Sequence, residues 1–202
     1  MALDGIYLNF LVSEVNELLA GAKVDKIHQP SKNELVFIMR TRGGMHKLYF
    51  SADANSPRFA VVNSVPENPQ TPPMLCMLFR KRLVGATLLS VEQYGLDRIA
   101  FFNFDATNEI GDRVKLTLAV EIRAQHSNVI LFDGDNRIVD ALRRVDSEKS
   151  SYRLVLPGAQ YKLPPPQDKL DIRSVDPQDI CQGVLNLTNS KLSSAILKTM
   201  QG

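Results

Sequence analysis

A carboxylate and a guanidinium stand side by side at Asp97-Arg98, directly ahead of the apolar run Ile99-Ala100-Phe101-Phe102-Asn103-Phe104. Successive side chains of a strand point to opposite faces. Asp97 therefore falls in the row of Ile99 and Phe101, and Arg98 in the row of Ala100, Phe102 and Phe104. Both rows are apolar, so the strand reads as buried on both sides. A charge at the mouth of such a strand loses part of its hydration and needs a partner. That partner is either a neighbouring charge, as in a strand-end ion pair, or a ligand, since guanidinium groups suit phosphate recognition. Chemistry alone favours the ion pair. In a regular strand the two residues face opposite ways. Either one meets a ligand while the other braces it, or a bulge near Gly95 turns both outward.

Other charged groups bear on that choice. Arg80-Lys81-Arg82 closes a helical pattern, where cations complement the helix dipole; splayed around the helix, the same three make a phosphate-contacting patch. Arg143-Arg144 and Arg153 add basic character, and together these clusters are compatible with a polyanionic partner. Glu121 and Arg123 lie two apart on one face of an alternating strand, and His126-Ser127-Asn128 follows in a turn. Sequence neighbours such as His126 and Ser127 rarely meet as base and nucleophile, and no G-x-S-x-G elbow is present. Those turn residues read instead as partners for the main chain. His28, His46 and His126 are scattered, with no C-x-x-C or H-x-x-x-H spacing. Phosphate-loop and dinucleotide fingerprints are absent. The expectation is a protein without enzymatic activity, cofactor or metal.

The elements that must position these groups read as follows. Ile6, Phe10, Leu11, Val15, Leu18 and Leu19 recur at helical spacing between Asp4 and Ala22. Strand-like runs at 23–28, 34–41, 47–52 and 58–63 follow, punctuated by Pro30 and Gly43-Gly44 as in an antiparallel meander. Prolines 66, 69, 72 and 73 lead into a helix from Pro73 to Val84. Strands resume at 88–93, 98–104 and 114–123, and Asp133-Gly134-Asp135-Asn136 joins 129–132 to 138–141 as a hairpin. With no βαβ rhythm, the pattern predicts an α+β fold: a β-rich sandwich or barrel-like core with two amphipathic helices. Pro157, Pro164, Pro165 and Pro166 make 156–168 an extended strap leaving that core. Helical patterns at 178–187 and 190–200 close the chain and read as the start of a further helical domain, after a core domain over 1–172.

The 202 residues, 44% hydrophobic and 23% charged, describe an ordinary soluble globular protein, and a net charge of +2 is too mild to identify a nucleic-acid binder by itself. No apolar stretch approaches the roughly 18 residues of a membrane-spanning helix, and Met-Ala-Leu-Asp does not begin a signal peptide. Cys76 and Cys181 read as two reduced thiols rather than a long-range disulfide. The expected location is the cytoplasm.

Several blocks, in order, carry a resemblance: Leu3-Asp4-Gly5, Lys26-Ile27-His28-Gln29-Pro30, Pro72-Pro73-Met74-Leu75-Cys76-Met77-Leu78, Gly95-Leu96-Asp97-Arg98, Asn108-Glu109-Ile110-Gly111-Asp112, His126-Ser127-Asn128 and Ser151-Tyr152-Arg153-Leu154-Val155-Leu156-Pro157-Gly158. From about Leu3 to Lys169 the chain resembles the N-terminal NFACT domain of the bacterial RqcH group, also known as fibronectin-binding protein A-like. The tail from Pro177 is similar to the opening of the helix-hairpin-helix region that follows in this family. The resemblance implies ribosome-associated quality control: binding obstructed large ribosomal subunits and recruiting alanyl-tRNA for template-free tailing of the stalled nascent chain, the peptidyl transfer being the ribosome's. It places the family's tRNA-engaging residues on Asp97, Arg98, Glu121, Ile122, His126, Ser127 and Asn128. Arg123 joins them as a local cation, and Arg80, Lys81 and Arg82 as phosphate contacts.

Bacterial members usually read Met-Gly-Lys or Met-Gly-Arg before His-Ser-Asn, where this chain has Arg123-Ala124-Gln125. Alanine takes positive φ less readily than glycine, so the turn is expected to be reshaped, and Arg123 to neutralise Glu121 in part. The family fold also resembles the N-terminal domain of formamidopyrimidine-DNA glycosylases. Those enzymes use an N-terminal proline amine and a neighbouring glutamate; Met1-Ala2-Leu3-Asp4 has neither, so that activity is not expected. The second functional class, from the older family name, is a surface adhesin that binds fibronectin.

Overall fold

In the computed structural model, residues 3–148, 152–165, 175–187 and 191–200 are described. Helix α1 (Gly5–Leu19) starts at Asp4, whose carboxylate accepts the Tyr7 N–H at 2.7 Å and satisfies one of the free first-turn amides. Its Leu8, Val12, Val15 and Leu19 recur at three- and four-residue spacing and are buried. Strands β1 (Lys23–His28), β2 (Glu34–Thr41), β3 (Gly44–Ser51) and β4 (Arg58–Val62) form the first meander. Helix α2 (Met74–Leu83) buries Cys76, Phe79 and Leu83. The second meander comprises β5 (Thr87–Gln93), β6 (Ile99–Thr107), β7 (Arg113–Glu121), β8 (Asn128–Asp133) and β9 (Ile138–Ala141).

All the strands belong to one antiparallel sheet in the order β4-β3-β2-β1-β5-β6-β7-β8-β9. The seam between the meanders is narrow. β1 and β5 pair at Lys23–Thr87, flanked by main-chain bonds among Gly21, Ala22, Val24, Gly85, Ala86 and Leu88. Across that seam the sheet folds onto itself. Phe50 of β3 and Phe102 of β6 are not neighbours in the sheet, yet their ring centroids lie 5.1 Å apart, and Phe37 meets Phe104 at 6.3 Å. The core is therefore sandwich-like and made from one continuous sheet. β4 and β9 are its terminal strands and do not pair with each other, so it is not a closed barrel. The α+β expectation with two amphipathic helices holds.

The strap departs from its expected course. Instead of leaving the core, the described part folds back over the outer face of β6–β9. Val155 exchanges main-chain bonds with Val145, Ile138 donates to Ala159, and Tyr161 stacks on Phe132 with centroids 4.5 Å apart. Val155, Ala159 and Tyr161 join Ala119, Ile130, Phe132 and Ile138 in a second apolar cluster. Prolines exclude regular ladders, not packing, and the sequence pattern does not separate the two. Residues 166–174, including the end of the strap and most of the expected domain boundary, lie outside the described residues. Helices α3 (Pro177–Leu185) and α4 (Leu192–Thr199) pack on each other. Cys76 and Cys181 are free thiols. Among the described residues, no helix is long and apolar enough to cross a membrane.

Candidate nucleic-acid interface

β6 begins at Ile99, so Asp97 and Arg98 lie in the turn that precedes it rather than inside a regular strand. Gly95 enters that turn at φ +57°, and the Asp97 N–H donates to the Tyr94 carbonyl at 2.9 Å. The two side chains then part. Asp97 turns inward and is 6% exposed. Its Oδ1 accepts the Arg98 N–H at 2.7 Å, and its Oδ2 accepts Nη2 of Arg123 at 2.6 Å. Gln93 fixes the turn to α1: its Nε2 donates to the carbonyls of Asp97 (3.0 Å) and Gly5 (2.8 Å), and its Oε1 accepts from Asn9 (3.0 Å). Arg98 is partly exposed, and its guanidinium has no hydrogen bond or ion pair among the described residues. It lines a cleft of about 490 Å³ with Leu3, Tyr7, Arg58, Phe59, Ile122 and Ala124. Arg58 and Arg98 line that space and no carboxylate does among the described residues, so it favours an anion.

Glu121 ends β7 and is 1% exposed. The expected neutralisation by Arg123 does not form, because β7 stops at Glu121 and the backbone of Arg123 (φ −135°, ψ 48°) carries its side chain to Asp97. Arg153 from the strap pairs with Glu121 instead, with Nη1 at 2.7 Å from Oε1 and Nη2 on Oε2, while the Tyr161 hydroxyl donates to Oε1 at 3.0 Å. Burial, and then the Glu121 charge, push the Tyr161 hydroxyl well above the usual tyrosine range.

Beyond β7 a single 3₁₀ turn, Ala124–His126, is closed by Ser127, whose hydroxyl accepts the Arg123 N–H at 2.8 Å. Ala124 holds φ +48°, a left-handed conformation in an alanine. Ser127 and Asn128 are buried, whereas His126 is exposed. Asn128 accepts the Val129 and Arg143 N–H groups, each at 2.9 Å, and donates to the Arg143 carbonyl at 2.7 Å. The Arg143 guanidinium in turn donates to the Gln125 carbonyl at 2.7 Å and to Asn33 in the first meander at 3.3 Å.

The basic clusters sort the same way. Arg80 donates to the Ile27 carbonyl at 2.7 Å, and Lys81 pairs with Glu109 at 2.8 Å. Arg82 is exposed and makes no hydrogen bond or ion pair among the described residues, though after the hydrogen bond and charge of Lys81 its own charge helps lower the Glu109 pKa. Burial, then Arg80 and Lys26, lower the His28 pKa. Arg144 clamps Asp140 at 2.9 and 2.6 Å. The basic character expected from Arg143, Arg144 and Arg153 is thus largely bound within the fold rather than offered as a patch. Of the residues singled out from sequence, Arg98 and His126 reach solvent at the end of β6 and β7 where Asp97, Glu121, Ser127 and Asn128 are buried, while Lys81 and Arg82 reach solvent elsewhere, Lys81 meeting Glu109 at the opposite end of those strands. Tyr7, Arg58 and Gln93 were not singled out as site groups, because only tertiary packing brings them there, and Arg143 was read only as basic character, not as the group that holds the turn. Among the described residues, no cluster of His, Cys, Asp or Glu could hold a metal ion.

Over residues 4–202 the chain matches the family described as NFACT N-terminal and middle domains. The chain belongs to the NFACT family. Its NFACT relatives include the Rqc2 homolog RqcH of Bacillus subtilis strain 168, 40% identical over 100% of this chain and 35% of that protein, and RqcH of Streptococcus suis, 35% identical over 89% of this chain and 33% of that protein. The NFACT chain therefore spans about a third of the length of these curated relatives. Among solved structures it is similar to the N-terminal domain of the fibronectin-binding protein PavA from Streptococcus pneumoniae, at a TM-score of 0.84 and 31% identity over 96% of this chain and 77% of that one. It is also similar to a fibrinogen-binding protein from Staphylococcus aureus, at a TM-score of 0.88 and 27% identity over 100% of this chain and 71% of that one.

Proposed function

We propose that this NFACT chain is the tRNA-contacting part of a cytoplasmic ribosome-associated quality control factor. It helps bring tRNA, alanyl-tRNA by family resemblance, to obstructed large ribosomal subunits for template-free tailing, and it acts by binding rather than by catalysis. The observation that carries this reading is the Arg98 guanidinium, unpaired and in a cleft without a carboxylate among the described residues, held by the Asp97–Arg123 pair behind it. An open guanidinium on a braced turn suits a phosphate or base edge of RNA. In this reading Arg98 and His126 make contact, positioned by Asp97, Glu121, Arg123, Ser127 and Asn128, and Arg82 and Lys81, at the other end of β6 and β7, add sequence-independent attraction.

A tRNA titration of folded variants tests it. Arg98→Ala is expected to lower affinity about tenfold, the order of one or two charge-assisted hydrogen bonds, and to make the salt dependence shallower by about one unit of slope. Unchanged affinity in folded Arg98→Ala protein overturns the assignment. The names of the solved relatives support a second reading, a fibronectin-binding surface protein. Retention of the chain on immobilised fibronectin, without co-sedimentation with large subunits, selects that reading over the first.

A further inference from the structure

Away from the Arg98 cleft, the outer face of β5–β8 carries a groove of about 430 Å³ that the tRNA reading leaves unused. One wall is aromatic. Phe132 and Tyr161 stack, and Phe101 stands nearly perpendicular to both, at 82° and 87° with centroids 6.4 and 6.3 Å away. Tyr94, 50% exposed, also lines the groove. The wall is rigid, because the Tyr161 hydroxyl is tied to buried Glu121. The other side is a polar ladder across three strands. Thr117 donates to Asn103 at 2.9 Å, and Asn103 donates to Ser90 at 3.0 Å and to Glu92 at 3.2 Å. Ser90 donates to the same Glu92 Oε1 at 2.6 Å. The second oxygen, Oε2, has no partner among the described residues.

Glu92 is the one charged residue among the described residues lining this groove. A pre-oriented carboxylate beside aromatic rings selects a cation with a flat body: the carboxylate accepts a charge-assisted hydrogen bond while a ring face meets the positive plane. A nucleotide would instead bring its phosphate against Glu92 with no lining cation to receive it. We infer that the groove formed by Glu92, Tyr94, Phe101 and Tyr161 binds an arginine side chain of a protein partner. The chain thus carries two recognition surfaces of opposite charge preference, one for polyanion at Arg98 and one for guanidinium at Glu92.

Titration of the isotope-labelled chain with acetyl-Gly-Arg-Gly-amide, followed by amide chemical shifts, tests the inference. The citrulline peptide and adenosine monophosphate are the controls. The arginine peptide is expected to shift Tyr94, Asn103 and Thr117. Glu92→Gln should weaken it about tenfold, as the loss of one charge-assisted hydrogen bond does. Tyr94→Ala should weaken it several-fold, and the citrulline peptide should leave the groove unshifted. Equal binding of the citrulline peptide, indifference to Glu92→Gln, or groove shifts with adenosine monophosphate but not with the arginine peptide would each overturn it.

Discussion

Two charged clusters sit on either side of the end of β7, and they follow opposite rules. Around Glu121 every donor and acceptor is matched: Arg153 covers both oxygens, Tyr161 adds a third bond, and the carboxylate has no exposed surface. Immediately beside it, where the Ile122 N–H meets the Arg98 carbonyl at 2.8 Å, the Arg98 guanidinium has no partner among the described residues. The first cluster fastens the strap to the sheet and leaves nothing to offer a ligand. The second uses an inward ion pair, Asp97–Arg123, so that an outward cation stays in place with its capacity intact. Charge density alone therefore does not separate the two clusters; what separates them is that the Glu121 carboxylate has both oxygens covered, while the Arg98 guanidinium is held on a braced turn with its hydrogen-bonding capacity unused among the described residues.

The sharpest way to break this contrast is to remove Arg153. Arg153→Met leaves the Glu121 carboxylate buried without its cation and is expected to cost about 3–5 kcal/mol in urea unfolding. Arg153→Met combined with Glu121→Met should recover much of that loss, since apolar replacement of a whole buried pair is often near neutral. A loss below about 1 kcal/mol for the single variant would mean that the strap is not fastened there.

Asp97 and Arg98 separate the two roles one residue apart. Asp97→Asn deprives the Arg123 guanidinium, 17% exposed, of its anion and is expected to cost about 2 kcal/mol of stability and to weaken tRNA binding indirectly. Arg98→Ala, with no described partner to lose, should change stability by less than about 0.5 kcal/mol while removing more of the affinity. Parallel thermal unfolding and tRNA titration measure both quantities. If the two variants move stability equally, the distinction between brace and contact fails.

How much of this was legible in the sequence depends on the range of the interaction. The strands and helices of both meanders follow local periodicity, and their bounds agree with the pattern to within a few residues. The Asp97-Arg98 pair was legible as a place that needed a partner, and the two side chains do face opposite ways, Asp97 inward onto Arg123 and Arg98 outward, although both lie in a turn rather than in the strand. The identity of the brace was not legible. Placing Arg123 on the face of Glu121 assumed that β7 runs two residues further than it does, and the Arg123 side chain is drawn instead to Asp97, 26 residues away in sequence. The packing of the strap was hidden for a related reason: Tyr161 and Arg153 find Phe132 and Glu121 across the sheet, at a distance in sequence that no periodicity encodes. Arg143, which joins the turn at Gln125 to Asn33, belongs to the same class.

Alkaline pH sharpens the description of the matched cluster. The folded pKa of Tyr161 lies above its unfolded value of about 10, so the native state keeps a proton that the unfolded chain releases. Its contribution is complete below that value and falls as pH rises above it. Between pH 10 and 11, wild-type stability should drop by about 1 kcal/mol relative to Tyr161→Phe, whose own loss at neutral pH is the hydroxyl's bond to Glu121, also about 1 kcal/mol. Urea midpoints at the two pH values measure it. Parallel pH dependence of the two proteins would show that Tyr161 titrates freely, and the cluster would no longer count as closed.

The smallest effect lies on the open side, at Ala124. This residue lines the Arg98 cleft and holds φ +48° in a turn already closed by Ser127 and by the Arg143 bond to Gln125. A side chain beyond glycine is strained at that φ, while glycine lets the unfolded chain gain entropy, so the two effects oppose each other. Strain is the larger of the two, and Ala124→Gly is expected to stabilise the fold by about 0.5 kcal/mol. Because the turn is held by bonds that do not involve the Ala124 side chain, tRNA affinity should change by less than about twofold. A destabilised glycine variant would show that the turn rests elsewhere. A large change in affinity with unchanged stability would place the Ala124 methyl among the groups that touch the ligand, and the open side of the comparison would then extend past Arg98.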